Sequence, residues 1–379
     1  MILSAKSKNT SQLFIQSTAI FFFIGKIISL KLWLATRIFP IVPALDFLSI
    51  VPTQIHLVLL SSSLLLMIAC ILKPNNNYFL GGLLLIEIAS CTLDQNRWQP
   101  WVYQYIFMFY VLWANRKNEK RTLQLLLIIL SSTYFYTGFQ KINSHFLSIV
   151  WRRTILESFF QLPTSISQTQ IAIRLGYLVP ILEISFGLGL LFKKLQNKII
   201  VLLVLMHVFI LVVISPWGIN YNHVVYPWNM QMIVFLLFFY NKNIDVSPIF
   251  KPSKPNLNWV TLAAWIIMPA INFLGYWDYF FSSSLYSGRI DSCLIRIKNP
   301  PPNFVLAKFY EPPKHTDSAN TKTIVIQNWA MQEFNTPSCP QARVYKKIKQ
   351  QWAKSYPLIN ATFFLVDKSS NKKIITEIR

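Results

Sequence analysis

Charged residues are scarce in this chain of 379 residues, at 13% of positions against roughly 25% in an ordinary soluble domain. Hydrophobic residues make up 53%, and they arrive in long blocks rather than at the period of an amphipathic helix or strand. Both features argue against a soluble globular enzyme. The sequence instead predicts an all-α polytopic membrane bundle that has the lipid bilayer as its main partner.

Acidic residues are scarcer still, with 14 Asp and Glu against 36 Lys and Arg, for a formal charge of +22. A soluble protein with this balance would suggest a nucleic-acid partner. No basic patch interleaved with stacking aromatics occurs on a soluble module, so we expect no nucleic-acid binding. The positive charge is better explained as loop charge that orients membrane spans.

Cysteine is also rare, and the four cysteines show no CxxC pair and no zinc spacing. This pattern gives no support to a structural metal or a thioredoxin-like site. If Cys293 and Cys339 lie in an oxidising compartment, they can form a disulfide. The alternative is two unpaired and partly buried thiols.

Nine apolar segments reach or approach the roughly 20 residues that a spanning helix needs. The third, fourth and eighth are short, so the count is eight or nine. Between the first two, residues 33–52 carry Pro40, Pro43 and Pro52, which suits an interfacial or re-entrant segment. The nine predicted spans are 13–30, 54–72, 78–92, 100–114, 122–140, 175–192, 198–214, 228–240 and 259–281.

Basic residues in the short connections between the spans predict the orientation of the chain in the membrane. Thirteen lie on the N-terminal side and seven on the opposite side, which places the N-terminus in the cytoplasm. Nine spans then place the tail outside the cytoplasm, whereas eight spans would place it inside. The thirteen are Lys6, Lys8, Lys73, Arg116, Lys117, Lys120, Arg121, Lys193, Lys194, Lys198, Lys242, Lys251 and Lys254.

The tail, residues 282–379, differs in kind from the apolar blocks. It holds 15 of the 36 basic residues, and its apolar stretches 324–326 and 363–366 have the length of strands. Residues 342–354 have the pattern of a basic helix. We predict a small extramembrane α+β domain after a bundle at 1–240 and a linker with a final span at 241–281.

Ionisable residues inside spans are costly, and they tend to be paired or functional. Glu87, Glu183 and His207 meet this description. The structural alternative is that they form hydrogen bonds between helices and hold the bundle together.

The predicted outer ends of the spans hold a denser polar set. Lys141 follows several aromatics, and desolvation there can lower the pKa of a lysine toward that of a general base. The alternative for Lys141 is snorkelling to the interface. No ligand spacing on one helical face favours a metal. The set comprises Asp94, Arg97, Trp98, Lys141, His145, Asn220, His223 and Tyr226.

Three segments together resemble the HTTM family, the membrane module shared with vitamin K-dependent γ-carboxylases. Residues 94–105 are similar to the family's Asp, Trp and Tyr-x-Tyr pattern, and residues 134–143 resemble the segment that bears the carboxylases' active lysine. Residues 183–192, followed by His207, resemble the acidic-x-Ser-x-Gly run and the histidine of the next helix. The residues that carry the resemblance are Asp94, Trp98, Tyr103, Tyr134, Gly138, Lys141, Glu183 and His207.

The resemblance implies a base that deprotonates a hydroquinone on the outer face. Lys141 would be that base, with Asp94, Glu183 and His207 shaping the pocket and a quinone or hydroquinone as cofactor. Where the carboxylases have a catalytic histidine this chain has Trp101, and an indole can only donate a hydrogen bond. True γ-glutamyl carboxylation is therefore not expected. The residues assigned to substrate binding are Trp98, Trp101, Tyr103, Tyr134, Gly138, His145 and His223.

The sixth span also resembles the DoxX and MauE families of redox-associated membrane proteins. The tail resembles extensions of uncharacterised Bacteroidetes membrane proteins. These likenesses imply a competing function, in which the bundle anchors an external domain that assists a periplasmic protein partner. A transporter function lacks support because no inverted repeat is evident.

Overall fold

The computed structural model describes residues 10–250, 257–313, 320–368 and 374–378. Four basic residues used in the orientation count, Lys6, Lys8, Lys251 and Lys254, lie outside the described residues. The fold is mostly helical. Its α-helices are α1 Thr10–Ile28, α2 Leu30–Trp33, α3 Thr53–Leu72, α4 Asn77–Leu93, α5 Pro100–Ala114, α6 Glu119–Gln140, α7 Thr164–Ser167, α8 Gln170–Leu175, α9 Leu178–Gly189, α10 Gln196–Ile214, α11 Val225–Phe239, α12 Asn258–Leu262, α13 Met268–Ile271, α14 Ile326–Phe334 and α15 Ala342–Ser355.

Among the described residues, five helical stretches are long and apolar enough to cross a membrane. Three shorter apolar stretches accompany them, and α5 reaches only 15 residues. Each of the nine predicted segments therefore coincides with helical structure, while five of them have the length of a complete span. The five are Thr10–Ile28, Thr53–Leu72, Glu119–Gln140, Gln170–Gly189 and Gln196–Ile214.

The predicted ninth span ends earlier than its hydropathy suggests. Helical structure there stops at Leu274, where Gly275 takes a left-handed φ of 82° that only glycine adopts without strain. Within the segment, Ala263–Ile267 forms a π-helical turn, and Pro269 follows it after Met268. Proline lacks an N–H, so the helical hydrogen-bond ladder cannot continue unchanged at this point.

Helices α6 and α9 approach each other closely because two glycines lie in their contact. A Cβ added to Gly138 would lie 2.7 Å from the carbonyl oxygen of Pro180, and one added to Gly187 would lie 2.6 Å from the backbone nitrogen of Phe135. The Ser131 hydroxyl donates a hydrogen bond of 2.7 Å to the Gly187 carbonyl across the same contact. Small residues and interhelical hydrogen bonds are the usual means of joining helices in lipid.

In the described part of the C-terminal unit, which spans residues 283–378, there is one antiparallel sheet of four strands. Its strands are β1 Ser292–Lys298, β2 Thr321–Val325, β3 Ala361–Asp367 and β4 Ile374–Glu377, in the spatial order β2-β1-β3-β4. Cys293, Ile295 and Ile297 of β1 are fully buried on the face covered by α14 and α15. The predicted strands and basic helix coincide with β2, β3 and α15, whereas β1, β4 and α14 had not been predicted.

The C-terminal unit packs on one end of the bundle, called here the capped end. Phe39 inserts between Trp329 and Phe334, and Glu333 accepts hydrogen bonds from the backbone N–H groups of Ile38 and Phe39. The Asn96 side chain accepts hydrogen bonds from the Ser338 hydroxyl and the Cys339 N–H. The loop at 34–52 thus lies beneath the C-terminal unit.

Cys293 and Cys339 are both free and buried, so the predicted disulfide between them is not formed. Cys293 faces the core of the sheet, whereas Cys339 lies in the loop that contacts Asn96. Burial raises the pKa of the Cys293 thiol to about 12 and also raises that of Cys339. Both sulfurs therefore stay protonated and poorly nucleophilic.

Replacing Gly187 by alanine should force α6 and α9 apart. Overpacking of this kind costs about 1–3 kcal/mol, so the thermal midpoint of the purified protein should fall. Gly82→Ala is the matched control, because its Cβ would meet Leu66 at an ordinary 3.6 Å. Equal midpoints for both variants would contradict the close contact.

Asp291, in the C-terminal unit, should give stability a dependence on pH. Burial raises the pKa of its carboxyl from 3.8 to about 6, and the nearby Asp367 carboxylate adds to this rise. The folded state favours the neutral carboxyl of Asp291. The contribution of this carboxyl to the free energy of unfolding is therefore complete below pH 3.8 and is lost as the pH rises through 6. Asp291→Asn should therefore raise the thermal midpoint more at pH 8 than at pH 5. A gain that is the same at both pH values would contradict this assignment.

Candidate functional site

A cavity of about 100 Å³ lies near the capped end of the bundle, between α5, α6, α9, α10 and α11. Its lining follows helical spacing: Tyr134, Thr137 and Lys141 on α6 stand at i, i+3 and i+7 and share one face. Helix α11 contributes four residues at the same kind of spacing. They are Val225, Trp228, Asn229 and Met232.

Lys141 and Glu183 form an ion pair in the wall of this cavity. The Lys141 Nζ lies 2.5 Å from Glu183 Oε1, and the two side chains are only 11% and 5% exposed. Lys141 is the residue that ends α6, and Gly138 one turn earlier lets α9 come close enough to bring Glu183 within reach. Lys141 therefore faces the bundle interior rather than snorkelling.

Tyr134, His207 and Asn229 form a hydrogen-bonded chain beside the ion pair. The Asn229 amide N–H donates to the Val225 carbonyl, which leaves its Oδ1 to accept from His207 Nδ1 at 2.8 Å. The remaining nitrogen of the neutral imidazole, Nε2, is then an acceptor for the Tyr134 hydroxyl at 2.7 Å. This tautomer is assigned from the hydrogen-bond pattern. The chain can relay a proton: Tyr134 can pass its own proton to His207 as its oxygen takes one from another donor.

Two polar atoms on residues that line the cavity lack a hydrogen-bond partner among the described residues. They are Glu183 Oε2, an acceptor, and Trp265 Nε1, a donor. Buried polar groups are rarely left unsatisfied in folded proteins, so such atoms call for a partner. A ligand with one hydroxyl donor and one oxygen acceptor would satisfy both.

The structure brings together five of the residues selected from the sequence. Lys141, Glu183, His207, Tyr134 and Tyr103 all line the cavity. Gly138 lies in the helix contact behind it. Asn229, Trp228, Gln104 and Trp265 line it as well and had not been selected, although polar Gln104 and Asn229 inside apolar segments could have signalled them.

Asp94 lies elsewhere, in a buried polar network. Its carboxylate contacts Arg37, accepts from the Val42 N–H, and lies 4.0 Å from Arg97 Nε. Arg97 Nη2 in turn lies 2.7 Å from His56 Nδ1. The expectation that Asp94 shapes the same pocket as Lys141 is therefore wrong, because the ion pair with Arg37 holds its carboxylate against the loop at 37–42.

The other residues assigned to substrate binding also lie outside the cavity lining. Trp101 is 1% exposed, with its ring against Gly25 and Phe22. Trp98 packs edge-on against Phe281, the residue that follows the lining residue Phe280 in the sequence. His223 contacts Asn220 at the surface, and His145 precedes the π-helix Phe146–Phe159.

No protein-family model, curated protein or solved structure matches the chain. The likeness to the HTTM, DoxX and MauE families accordingly stays a hypothesis from the sequence. Among the described residues, no group of three His, Cys, Asp or Glu side chains is placed to hold a metal ion. The chemistry of the cavity must be argued from its own residues.

Removing Lys141 alone should destabilise the protein, since it leaves the Glu183 carboxylate buried and unpaired. Breaking such a pair costs about 3–5 kcal/mol, whereas removing both charges costs much less. The thermal midpoint should therefore fall strongly for Lys141→Met and recover in Lys141→Met/Glu183→Gln. A double variant as unstable as the single one would show that the two charges do not interact.

Proposed function

We propose that the chain is a multi-pass membrane protein whose cavity binds a lipophilic hydroxylated ring, such as a hydroquinone, and removes a proton from it. The observation that carries this proposal is the buried pair of Lys141 and Glu183, with one carboxylate oxygen unpartnered in the cavity wall. Eight or nine spans and a bacterial inner membrane belong to the same proposal. The basic residues of the loops support a cytoplasmic N-terminus and a periplasmic C-terminal unit.

The size and lining of the cavity favour a small apolar ligand. Its volume of about 100 Å³ is below the roughly 300–1,000 Å³ of drug-sized sites, so it suits a single ring rather than a large substrate. Aromatic side chains of Tyr103, Trp228 and Trp265 form much of the wall. A ring hydroxyl can donate to Glu183 Oε2 while a second ring oxygen accepts from Trp265 Nε1.

Proton removal then follows from the charges. The hydroxyl proton passes to the Glu183 carboxylate, and the Lys141 ammonium stays beside the oxyanion that forms. The low-polarity surroundings strengthen this attraction. The Lys141 and Glu183 pair thus takes the place of the single lysine base that the sequence suggested.

The chain of Tyr134, His207 and Asn229 provides a second polar wall of the same cavity. Because the Nε2 of a neutral His207 accepts from Tyr134, the tyrosine can pass its proton to the imidazole as its oxygen takes one from a ligand hydroxyl. The site therefore has two proton acceptors, Glu183 and His207, one for each hydroxyl of a hydroquinone.

The accessory function remains the alternative. It predicts either a disulfide between Cys293 and Cys339 or an exposed apolar patch on the C-terminal unit, and the two cysteines are free thiols. The polar contacts that fix the C-terminal unit on the capped end are compatible with either function.

Methylhydroquinone, a hydroquinone with a single ring, should bind the purified protein in nanodiscs and quench the fluorescence of Trp228 and Trp265. Its ionisation, followed by absorbance, should shift to lower pH when bound. Lys141→Met/Glu183→Gln should weaken binding roughly tenfold or more, as expected for loss of a hydrogen bond to a charged group, and should abolish the shift.

Lys26→Met/Glu87→Gln provides the matched control. Lys26 and Glu87 form another buried ion pair, 2.8 Å apart with neither side chain exposed, and neither residue lines the cavity. Both double variants remove a neutral pair, so they carry the same net charge. If methylhydroquinone binds both as well as it binds the parent protein, the proposed function is wrong.

A further inference from the structure

A second cavity, of about 380 Å³, lies where the loop after α2 meets the C-terminal unit. One side comes from the bundle, with Lys31, Thr36 and Arg37, and the other from the C-terminal unit, with Lys308 and Gln332. The cavity is therefore complete only while the unit is docked on the capped end.

Two charged residues of this cavity are already engaged by the protein. Arg37 contacts Asp94 and donates to the carbonyl oxygens of Leu32 and Phe39. Glu333 accepts from the N–H of Phe39 and from the indole N–H of Trp329. These bonds fix the shape of the wall. Asp94 balances the charge of Arg37, whereas the Glu333 carboxylate is bonded to neutral N–H groups and keeps its negative charge.

Two lysines of the lining have no such partner. Within the described part of the chain, neither Lys31 nor Lys308 forms an ion pair, and both are exposed at the cavity. The cavity therefore presents two unpaired lysines against the single Glu333 carboxylate, an excess of positive charge, together with the Thr36 hydroxyl and the Gln332 amide. This donor set suits a phosphate that carries a hydroxylated group.

The cavity also lies beside a surface suited to acyl chains. Lys31 follows the end of α1, a candidate membrane span, and the neighbouring apolar side chains of Ile27 and Leu30 are 47% and 41% exposed. Basic side chains directly next to a lipid-facing helix end are the usual means of binding anionic headgroups.

We propose that this cavity binds the headgroup of an anionic phospholipid, with its phosphate between Lys31 and Lys308. The glycerol hydroxyls of a phosphatidylglycerol headgroup would meet Thr36 and Gln332. Because the lipid contacts both sides, it stabilises the docking of the C-terminal unit on the bundle. The proposal is independent of the hydroquinone site.

The test compares the purified protein in detergent with added phosphatidylglycerol, phosphatidylcholine, or inorganic phosphate. Phosphatidylglycerol should raise the thermal midpoint and remain bound in native mass spectrometry, while the other two should not. Lys31→Gln/Lys308→Gln should weaken phosphatidylglycerol binding roughly twenty-five-fold, at about fivefold for each lysine.

Lys298→Gln/Lys346→Gln is the control, since it removes two exposed lysines of the C-terminal unit that do not line the cavity. It should bind phosphatidylglycerol like the parent protein. Equal weakening in both double variants would overturn the proposal, because the effect would then be one of surface charge alone. Stabilisation by inorganic phosphate to the same extent would overturn the assignment to a lipid.

Discussion

Buried charges in this bundle are held in ion pairs, and the rest of the structure is arranged around those pairs. A lone charge in a low-polarity interior is too costly to keep, so each one must meet an opposite charge. The six buried Lys, Arg, Asp and Glu residues of the described chain all belong to such contacts, between Lys26 and Glu87, Asp94 and Arg97, and Lys141 and Glu183. Each pair forces particular helices or loops to lie side by side.

The Asp94 network connects the bundle to the C-terminal unit. Asp94 holds Arg37 and the loop at 37–42, and the adjacent Asn96 accepts hydrogen bonds from Ser338 and Cys339. The same turn thus orients a bundle loop and supports the docked sheet. A change in this turn would alter both the fold of the loop and the position of the C-terminal unit.

Hydropathy predicted the helical segments well because apolar runs depend on local composition. It failed at the ends, as at Gly275, where one left-handed residue stops a helix that composition alone would continue. In the C-terminal unit, apolar stretches of strand length predicted β2 and β3, and the pattern of a basic helix predicted α15. Strand β1 was missed although its alternating burial is regular, since Arg296 and Lys298 interrupt its apolar residues on the exposed face.

The site was predictable in its residues but not in their pairings. Lys141, Glu183 and His207 stood out because ionisable groups in apolar helices are rare. That Glu183 pairs with Lys141 depends on the glycines between α6 and α9, and that Asp94 pairs with Arg37 depends on a long-range loop contact. Neither follows from spacing along the chain.

The two buried lysine pairs show what distinguishes a site from a structural contact. Lys26 pairs with Glu87, which also accepts from Ser63, and the Lys26 ammonium lies 3.7 Å from the centre of the Trp33 ring, with neither charged side chain exposed. Lys141 pairs with Glu183 at a cavity, where Tyr134 and His207 add groups that can move a proton. The same pair of residue types thus stabilises the bundle in one place, while beside an open space it can act on a ligand.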